Sequence, residues 1–123
     1  MEESVNMQNA GVVFSTKDTL AAVDGDRELL RELVGMFMTE CAESIAAIRK
    51  AIDEQNAPGL DRAAHTLKGM VGNFGARAAV ETALKLEMMG KQSCLGDAEK
   101  MFVVLQEELE SLKKALEQFA GET

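Results

Sequence analysis

The feature that most constrains the fold is an apolar stripe over residues 27 to about 55. Its members recur every three or four positions, as one face of a helix requires: Leu30, Leu33, Phe37, Cys41, Ile45, Ile48 and Ile52. The only proline of the chain, Pro58, lies beyond this stretch. The pattern therefore predicts one long, unbroken helix that must bury its apolar face against other helices.

Helix starts are indicated by polar residues suited to cap a first turn. A short helix is predicted after Ser15, and Asp26 would cap the long helix that follows. Asn56 would cap a third helix at about 57 to 73. Pro58 falls in its first turn, where the missing N–H costs no hydrogen bond.

Two further helices complete the prediction. The fourth spans about 76 to 90, between Gly75, a candidate left-handed stop, and Gly90, which would end it. Its apolar side would be formed by Ala79, Val80, Ala83 and Leu84. The fifth spans about 97 to 120 and carries a heptad seam: Phe102, Leu105, Leu109, Leu112, Leu116 and Phe119. Packing of this seam inside its own bundle is favoured over a coiled coil between chains, because it covers only about three heptads.

The fold class predicted from these segments is all-α. We expect an antiparallel up-down four-helix bundle with a short extra N-terminal helix, because long helices with short connections become antiparallel neighbours. The chain of 123 residues suffices for one domain with one core. The bundle is predicted at 14–121, preceded by a flexible tail at 1–13.

Charge and cysteine content narrow the functional classes. The formal net charge of −8 disfavours binding to nucleic acid or to an anionic membrane surface. No apolar run reaches membrane-spanning length, and the acidic N-terminus is unlike a signal peptide, so a cytoplasmic location is expected. Cys41 and Cys94 are distant in sequence, and a single histidine cannot complete a metal site with them. No metal is expected, and both thiols are expected to be free.

The stretch "RAAHTLKGMVGNFGA" at 62 to 76 contains the only histidine, His65. On a helical wheel the bulky apolar side chains, such as Leu67 and Phe74, fall nearly opposite His65. The side of His65 is shared by small and charged residues: Asp61, Arg62, Lys68, Gly69 and Gly72. This arrangement disfavours a core histidine. Helix-interior glycines, which each weaken a helix by about 1 kcal/mol relative to alanine, disfavour an idle surface histidine.

The chemistry open to one exposed histidine is limited. No serine or cysteine is held beside His65 for a hydrolase triad, and further metal ligands are lacking. A neutral imidazole is nevertheless a nucleophile, and Lys68, at i+3, could balance negative charge arriving on it. Gly69 and Gly72 would let a partner surface approach the helix backbone. The residues therefore favour a phosphoryl acceptor that relies on a partner for the remaining catalytic groups.

The same stretch resembles the signature of histidine-containing phosphotransfer (HPt) domains, and the resemblance extends over roughly 14 to 120. The matching positions are His65, Leu67, Lys68, Gly69, Gly72 and Gly75. It implies that His65 accepts a phosphoryl group on Nε2 from a receiver-domain phospho-aspartate and passes it to another receiver. Lys68 would help to hold that group, Gly69 and Gly72 would make room for the receiver, and Asp61 and Arg62 would contribute to docking. Mg²⁺ would come with the receiver, so no cofactor of the chain's own is expected.

Some features remain open at this level. Many HPt domains have Ser or Ala where this chain has Met70 and Val71, so a hydroxyl contact from those positions is missing. The sequence has no nucleotide-binding glycine loop, so we expect a phosphoryl carrier rather than an enzyme. We also expect the chain to be a monomer. A free-standing protein and a domain of a hybrid sensor kinase both fit. The alternative function is a non-catalytic helical module that docks on receiver or kinase domains.

Overall fold

The structure, a computed structural model, describes residues 14–121. These form five helices: α1 (Thr16–Ala22), α2 (Arg27–Asp53), α3 (Ala57–Gly72), α4 (Arg77–Lys91) and α5 (Ala98–Gly121). No strand occurs within this range. The predicted all-α class is confirmed, and the predicted tail at 1–13 lies outside the described residues.

Local chemistry predicts where the first three helices begin. The side chains of Ser15, Asp26 and Asn56 each accept a hydrogen bond from a backbone N–H in the first turn of α1, α2 and α3. Gly75 follows α3 with φ +62°, a left-handed conformation that glycine adopts without a Cβ clash. The chain can therefore turn sharply from α3 into α4.

The four long helices form a closed ring, in which α2 and α4 each pack against both α3 and α5. Arg49 near the end of α2 pairs with Glu99 in the first turn of α5, and Asp61 near the start of α3 pairs with Lys91 at the end of α4. Both pairs join opposite helix ends, so the neighbours are antiparallel. The largest fully buried side chains form one core: Leu30, Ile48, Leu60, Leu67, Val71, Phe74, Leu86, Phe102, Leu105, Leu109, Leu112 and Leu116.

The two long apolar patterns both face this core. On α2, Leu33 and Ile45 are partly buried and the other members of the stripe are buried. On α5, Phe119 is partly buried and the rest of the heptad seam is buried. The seam therefore packs within its own bundle, as the sequence favours.

Two expectations for α4 are wrong. Leu84 was assigned to the apolar side but is 41% exposed, because α4 turns Ala79 and Ala83 inward and the next residue lies about 100° further round the helix. Gly90 does not end the helix, which continues to Lys91; it is buried instead.

Glu108 on α5 is a half-buried carboxylate whose Oε1 has no hydrogen-bond partner among the described residues. Burial raises the pKa of Glu108, and the Thr82 hydroxyl only partly offsets this. Protonated Glu108 therefore stabilises the folded state fully below the unfolded pKa of about 4.3, and this contribution to stability is lost as pH rises through the folded pKa. We therefore expect Glu108→Gln to increase the free energy of unfolding at pH 7 by about 1 kcal/mol, measured by urea denaturation.

The matched control for that measurement is Glu117→Gln, which alters an exposed glutamate further along α5 and should leave stability unchanged. The gain from Glu108→Gln should shrink when the denaturation is repeated at pH 4. A variant less stable than the parent at pH 7 would contradict the assignment of a desolvated carboxylate.

Candidate functional site

His65 projects from the outer face of α3. Its side chain is 67% exposed. The buried face of the same helix is formed by Leu60, Ala64, Leu67 and Val71. The imidazole therefore points away from the core, as the helical wheel predicts, and a partner can reach it.

Gly69 and Gly72 lie one and two turns beyond His65 on the same face and are exposed. A Cβ built on either would meet nothing within 4 Å. These glycines therefore do not serve close helix packing. They leave a strip of α3 without side chains beyond the imidazole.

Glu87 on α4 is a candidate site residue that sequence reasoning missed. Its Oε2 lies 2.9 Å from Nδ1 of His65, and its side chain is only 6% exposed. A signal was available, because Glu87 lies at helical spacing from Ala79, Ala83 and Gly90 on the buried side of α4. An acidic residue within such a stripe indicates a carboxylate held for a specific partner.

Two lysines complete the cluster around this carboxylate. Nζ of Lys68 lies 2.7 Å from Oε1 of Glu87. Nζ of Lys91 lies 3.9 Å from Oε2 of Glu87 and 3.4 Å from Oδ1 of Asp61. Two carboxylates, two ammonium groups and one imidazole therefore meet across the α3–α4 contact.

The protonation of the cluster follows from these contacts. Contact with Lys68 is the largest influence on the pKa of Glu87; burial opposes it, contact with His65 reinforces it, and the net effect holds the pKa below its ordinary value. Glu87 is thus an ionised acceptor near neutral pH. A carboxylate only accepts hydrogen bonds, so the neutral imidazole places its proton on Nδ1. The lone pair on Nε2 is then free.

The predicted site residues fall into different environments. His65, Lys68 and Asp61 belong to the ionic cluster, with Asp61 held by Lys91. Arg62 is exposed and lines a shallow groove between α2 and α3 rather than joining the cluster.

Large apolar side chains are exposed on the helices to either side of α3. Met36 on α2 is 56% exposed and borders a small pocket between α2 and α3. Leu84 and Met88 on α4 are 41% and 40% exposed. The antiparallel pairing that sets Glu87 beside His65 also brings Leu84 level with the next turn of α3. Sequence reasoning missed this exposed apolar character.

Two further observations concern the described residues as a whole. Within 14–121 no group of three or more His, Cys, Asp or Glu side chains is arranged to hold a metal ion. No helix in this range combines the length and the apolar character needed to cross a bilayer.

Comparison with known proteins gives one family and one solved structure. The family model "Hpt domain" matches residues 32–118, which includes most of α2 and both residues of the His65–Glu87 pair. The crystal structure of histidine-containing phosphotransfer protein B (HptB) from Pseudomonas aeruginosa PAO1 is similar, with a TM-score of 0.84 and 17% identity. The match covers 89% of this chain and 96% of that chain, and at this identity it shows a shared fold. No curated protein matches the chain.

Proposed function

The chain belongs to the Hpt domain family, and on that premise we propose that it carries phosphoryl groups in a phosphorelay with His65 as the acceptor. The observation that carries the proposal is the exposed imidazole whose Nδ1 lies 2.9 Å from a buried carboxylate. This arrangement frees Nε2, the nitrogen able to attack, and turns it away from the core.

The transfer step follows from the chemistry of this imidazole. The lone pair of Nε2 attacks the phosphorus of a receiver's phospho-aspartate, and an Nε2–P bond forms as the P–O bond to the aspartyl carboxylate breaks. The electron pair of the broken bond leaves with the carboxylate. The ring gains positive charge while Nδ1 keeps its proton, and the Glu87 carboxylate stabilises that charge. Attack by the aspartate of a second receiver reverses the step.

Lys68 supplies the positive charge for the arriving phosphoryl group. Its ammonium is held at the site by Glu87, and its side chain is 28% exposed, which lets it reorient toward Nε2. An opposite charge at about 4 Å contributes roughly 4 kcal/mol in a partly dehydrated interface before desolvation is counted. Lys68 therefore acts on the phosphorylated state more than on the free imidazole.

The partner in this proposal is a receiver domain. Its active-site surface can approach the bare strip at Gly69 and Gly72, while Met36, Leu84 and Met88 offer apolar contacts on either side. Mg²⁺ for the aspartyl-phosphate chemistry would be bound by the receiver. This chain would supply the nucleophile and the surrounding charges, without an ATP site of its own.

The alternative, a docking module without phosphoryl transfer, explains less. Exposed apolar side chains beside bare backbone suit docking of either kind. Docking alone does not require a buried glutamate to contact His65 at Nδ1. The His65–Glu87 pair therefore favours the phosphoryl carrier.

The test is to incubate the protein with receiver domains that have been phosphorylated by a small acyl phosphate. We expect an acid-labile, alkali-stable label that mass spectrometry maps to His65 and NMR assigns to Nε2. Receivers with asparagine in place of the acceptor aspartate provide the control. Label on Nδ1 or on another residue would contradict the mechanism, and binding without any transfer would support the docking module.

A further inference from the structure

At Gly90 the backbone of α4 lies against the backbone of α3 without room for a side chain. A Cβ built on it would lie 2.5 Å from the backbone N of Asp61, 2.9 Å from its Cα and 2.7 Å from the carbonyl oxygen of Ala57. Carbon atoms in contact normally lie about 3.5–4.0 Å apart. Because the obstructing atoms are backbone, no rotamer change can relieve the clash.

This environment sets Gly90 apart from the other glycines near the site. A Cβ on Gly69 or Gly72 would enter open space, whereas a Cβ on Gly90 would meet the neighbouring helix. Gly90 is buried and lies before the last residue of α4. Its lack of a side chain therefore sets the separation between α3 and α4.

The close contact lies one helical turn from the histidine. Asp61 precedes His65 by four residues on α3, and Gly90 follows Glu87 by three residues on antiparallel α4. One turn corresponds to about 5.4 Å along a helix. The Lys91–Asp61 ion pair, at 3.4 Å, borders the same contact. The distance between the two helices at Gly90 therefore also determines the distance between His65 and Glu87 one turn away.

We infer that Gly90 is a positioning residue for the phosphoryl-accepting histidine: it admits α3 close enough for buried Glu87 to hold the proton on Nδ1 of His65. The inference rests on the proposed function for its catalytic meaning. A methyl group at this position would move the helices apart by about 1 Å to reach normal contact distance. The 2.9 Å contact between His65 and Glu87 would then exceed hydrogen-bonding distance.

The first test is Gly90→Ala, followed by NMR of the His65 ring nitrogens. We expect the parent protein to show the tautomer with the proton on Nδ1 and the variant to show a mixture of both tautomers. The rate of phosphoryl transfer from a phosphorylated receiver should fall about tenfold or more, as for other misplacements of about 1 Å. An unchanged tautomer in the folded variant would overturn the inference.

Two controls separate positioning from general stability. Gly35→Ala places a methyl group in open space on α2 and should change neither readout. Ile48→Val removes one methylene from the core on α2 and should lower stability while the His65 tautomer is retained. A shift of the tautomer in Ile48→Val equal to that in Gly90→Ala would contradict a specific role for Gly90.

A double-mutant comparison makes the route of action explicit. If Gly90 acts through Glu87, Gly90→Ala should slow transfer in the parent but not further in a Glu87→Ala background. An equal slowing in both backgrounds would overturn the inference. Should Gly90→Ala not fold, it would be repeated in the Glu108→Gln background at low temperature. Failure to fold there as well would show that the contact serves folding alone, and would also overturn the inference.

The tautomer measurement also keeps this inference separate from the proposed function. The parent protein could take up no phosphoryl group from any receiver while Gly90→Ala still shows a mixture of His65 tautomers. In that case the positioning role stands and the phosphorelay function fails. If phosphoryl transfer occurs on His65 but the His65 tautomer is the same in the parent and in Gly90→Ala, the proposed function stands and the positioning role fails.

Discussion

Replacing His65 with glutamine is expected to abolish phosphoryl uptake completely. The chain has no second histidine, so no other imidazole can form the phosphoramidate bond. The substitution removes the contact with buried Glu87, so it should lower the free energy of unfolding by about 1 kcal/mol and leave the fold intact, because the His65 side chain is itself 67% exposed. Transfer from a phosphorylated receiver, followed as acid-labile label over time, provides the measurement.

The His65→Gln variant also isolates chemistry from docking. Glutamine leaves Gly69, Gly72 and the exposed apolar residues unchanged, so its affinity for the unphosphorylated receiver should stay within about threefold of the parent, a difference below about 1 kcal/mol. Circular dichroism should show the same helical content as in the parent. Label that persists in the variant would place the acceptor elsewhere and remove the basis of the proposed mechanism.

Replacing Glu87 with alanine should produce the second-largest loss. The variant lacks the acceptor at Nδ1 and the negative charge that stabilises the phosphorylated ring. A hydrogen bond to a charged group contributes about 1.5–3 kcal/mol, which corresponds to a decrease in the transfer rate of roughly 10–100-fold. Stopped-time transfer assays at saturating receiver concentration would measure the rate of the chemical step.

Glu87→Gln provides the matched comparison. The amide oxygen can still accept a hydrogen bond from Nδ1–H but carries no charge, so we expect the transfer rate to fall only about fivefold to tenfold, from about 1 kcal/mol. Equal losses in both variants would show that the charge alone matters. A parent-like rate in Glu87→Ala would contradict the assigned role of the carboxylate.

The acid stability of the protein gives an independent view of Glu87. Its pKa is held below the ordinary value, chiefly by Lys68, so the folded state binds this proton less readily than the unfolded chain does. The resulting stabilisation is present above the unfolded pKa of about 4.3 and is lost as pH falls through the folded pKa. The difference in stability between the parent and Glu87→Gln should therefore narrow in acid.

Most of the fold was predictable because local chemistry and apolar periodicity agree. Ser15, Asp26 and Asn56 are strong capping residues, and each caps the predicted helix. The stripe on α2 and the seam on α5 are long enough to define a face without ambiguity. These patterns depend on neighbours a few residues apart, which a sequence displays directly.

The parts that sequence reasoning missed depend on contacts between helices. Glu87 is 22 residues from His65, and their contact follows from how α4 crosses α3. The same crossing buries Gly90 against backbone and leaves Leu84 exposed. The buried side of α4 combines small residues with Leu86 and the charged Glu87, so no unbroken apolar stripe marks which side faces inward. The apolar side predicted from Ala79, Val80, Ala83 and Leu84 is therefore wrong at Leu84.

The bare strip at Gly69 and Gly72 has a consequence for how the proposed carrier would distinguish one receiver from another. A strip without side chains has little with which to distinguish one partner from another, so in the proposed carrier this part of α3 would contribute little to the choice of receiver. In the proposed carrier, discrimination between partners would then fall to the flanking helices, through exposed Met36 on one side and exposed Leu84 and Met88 on the other. Descendants of this domain could exchange those side chains and acquire new signalling partners while the reacting group stays untouched.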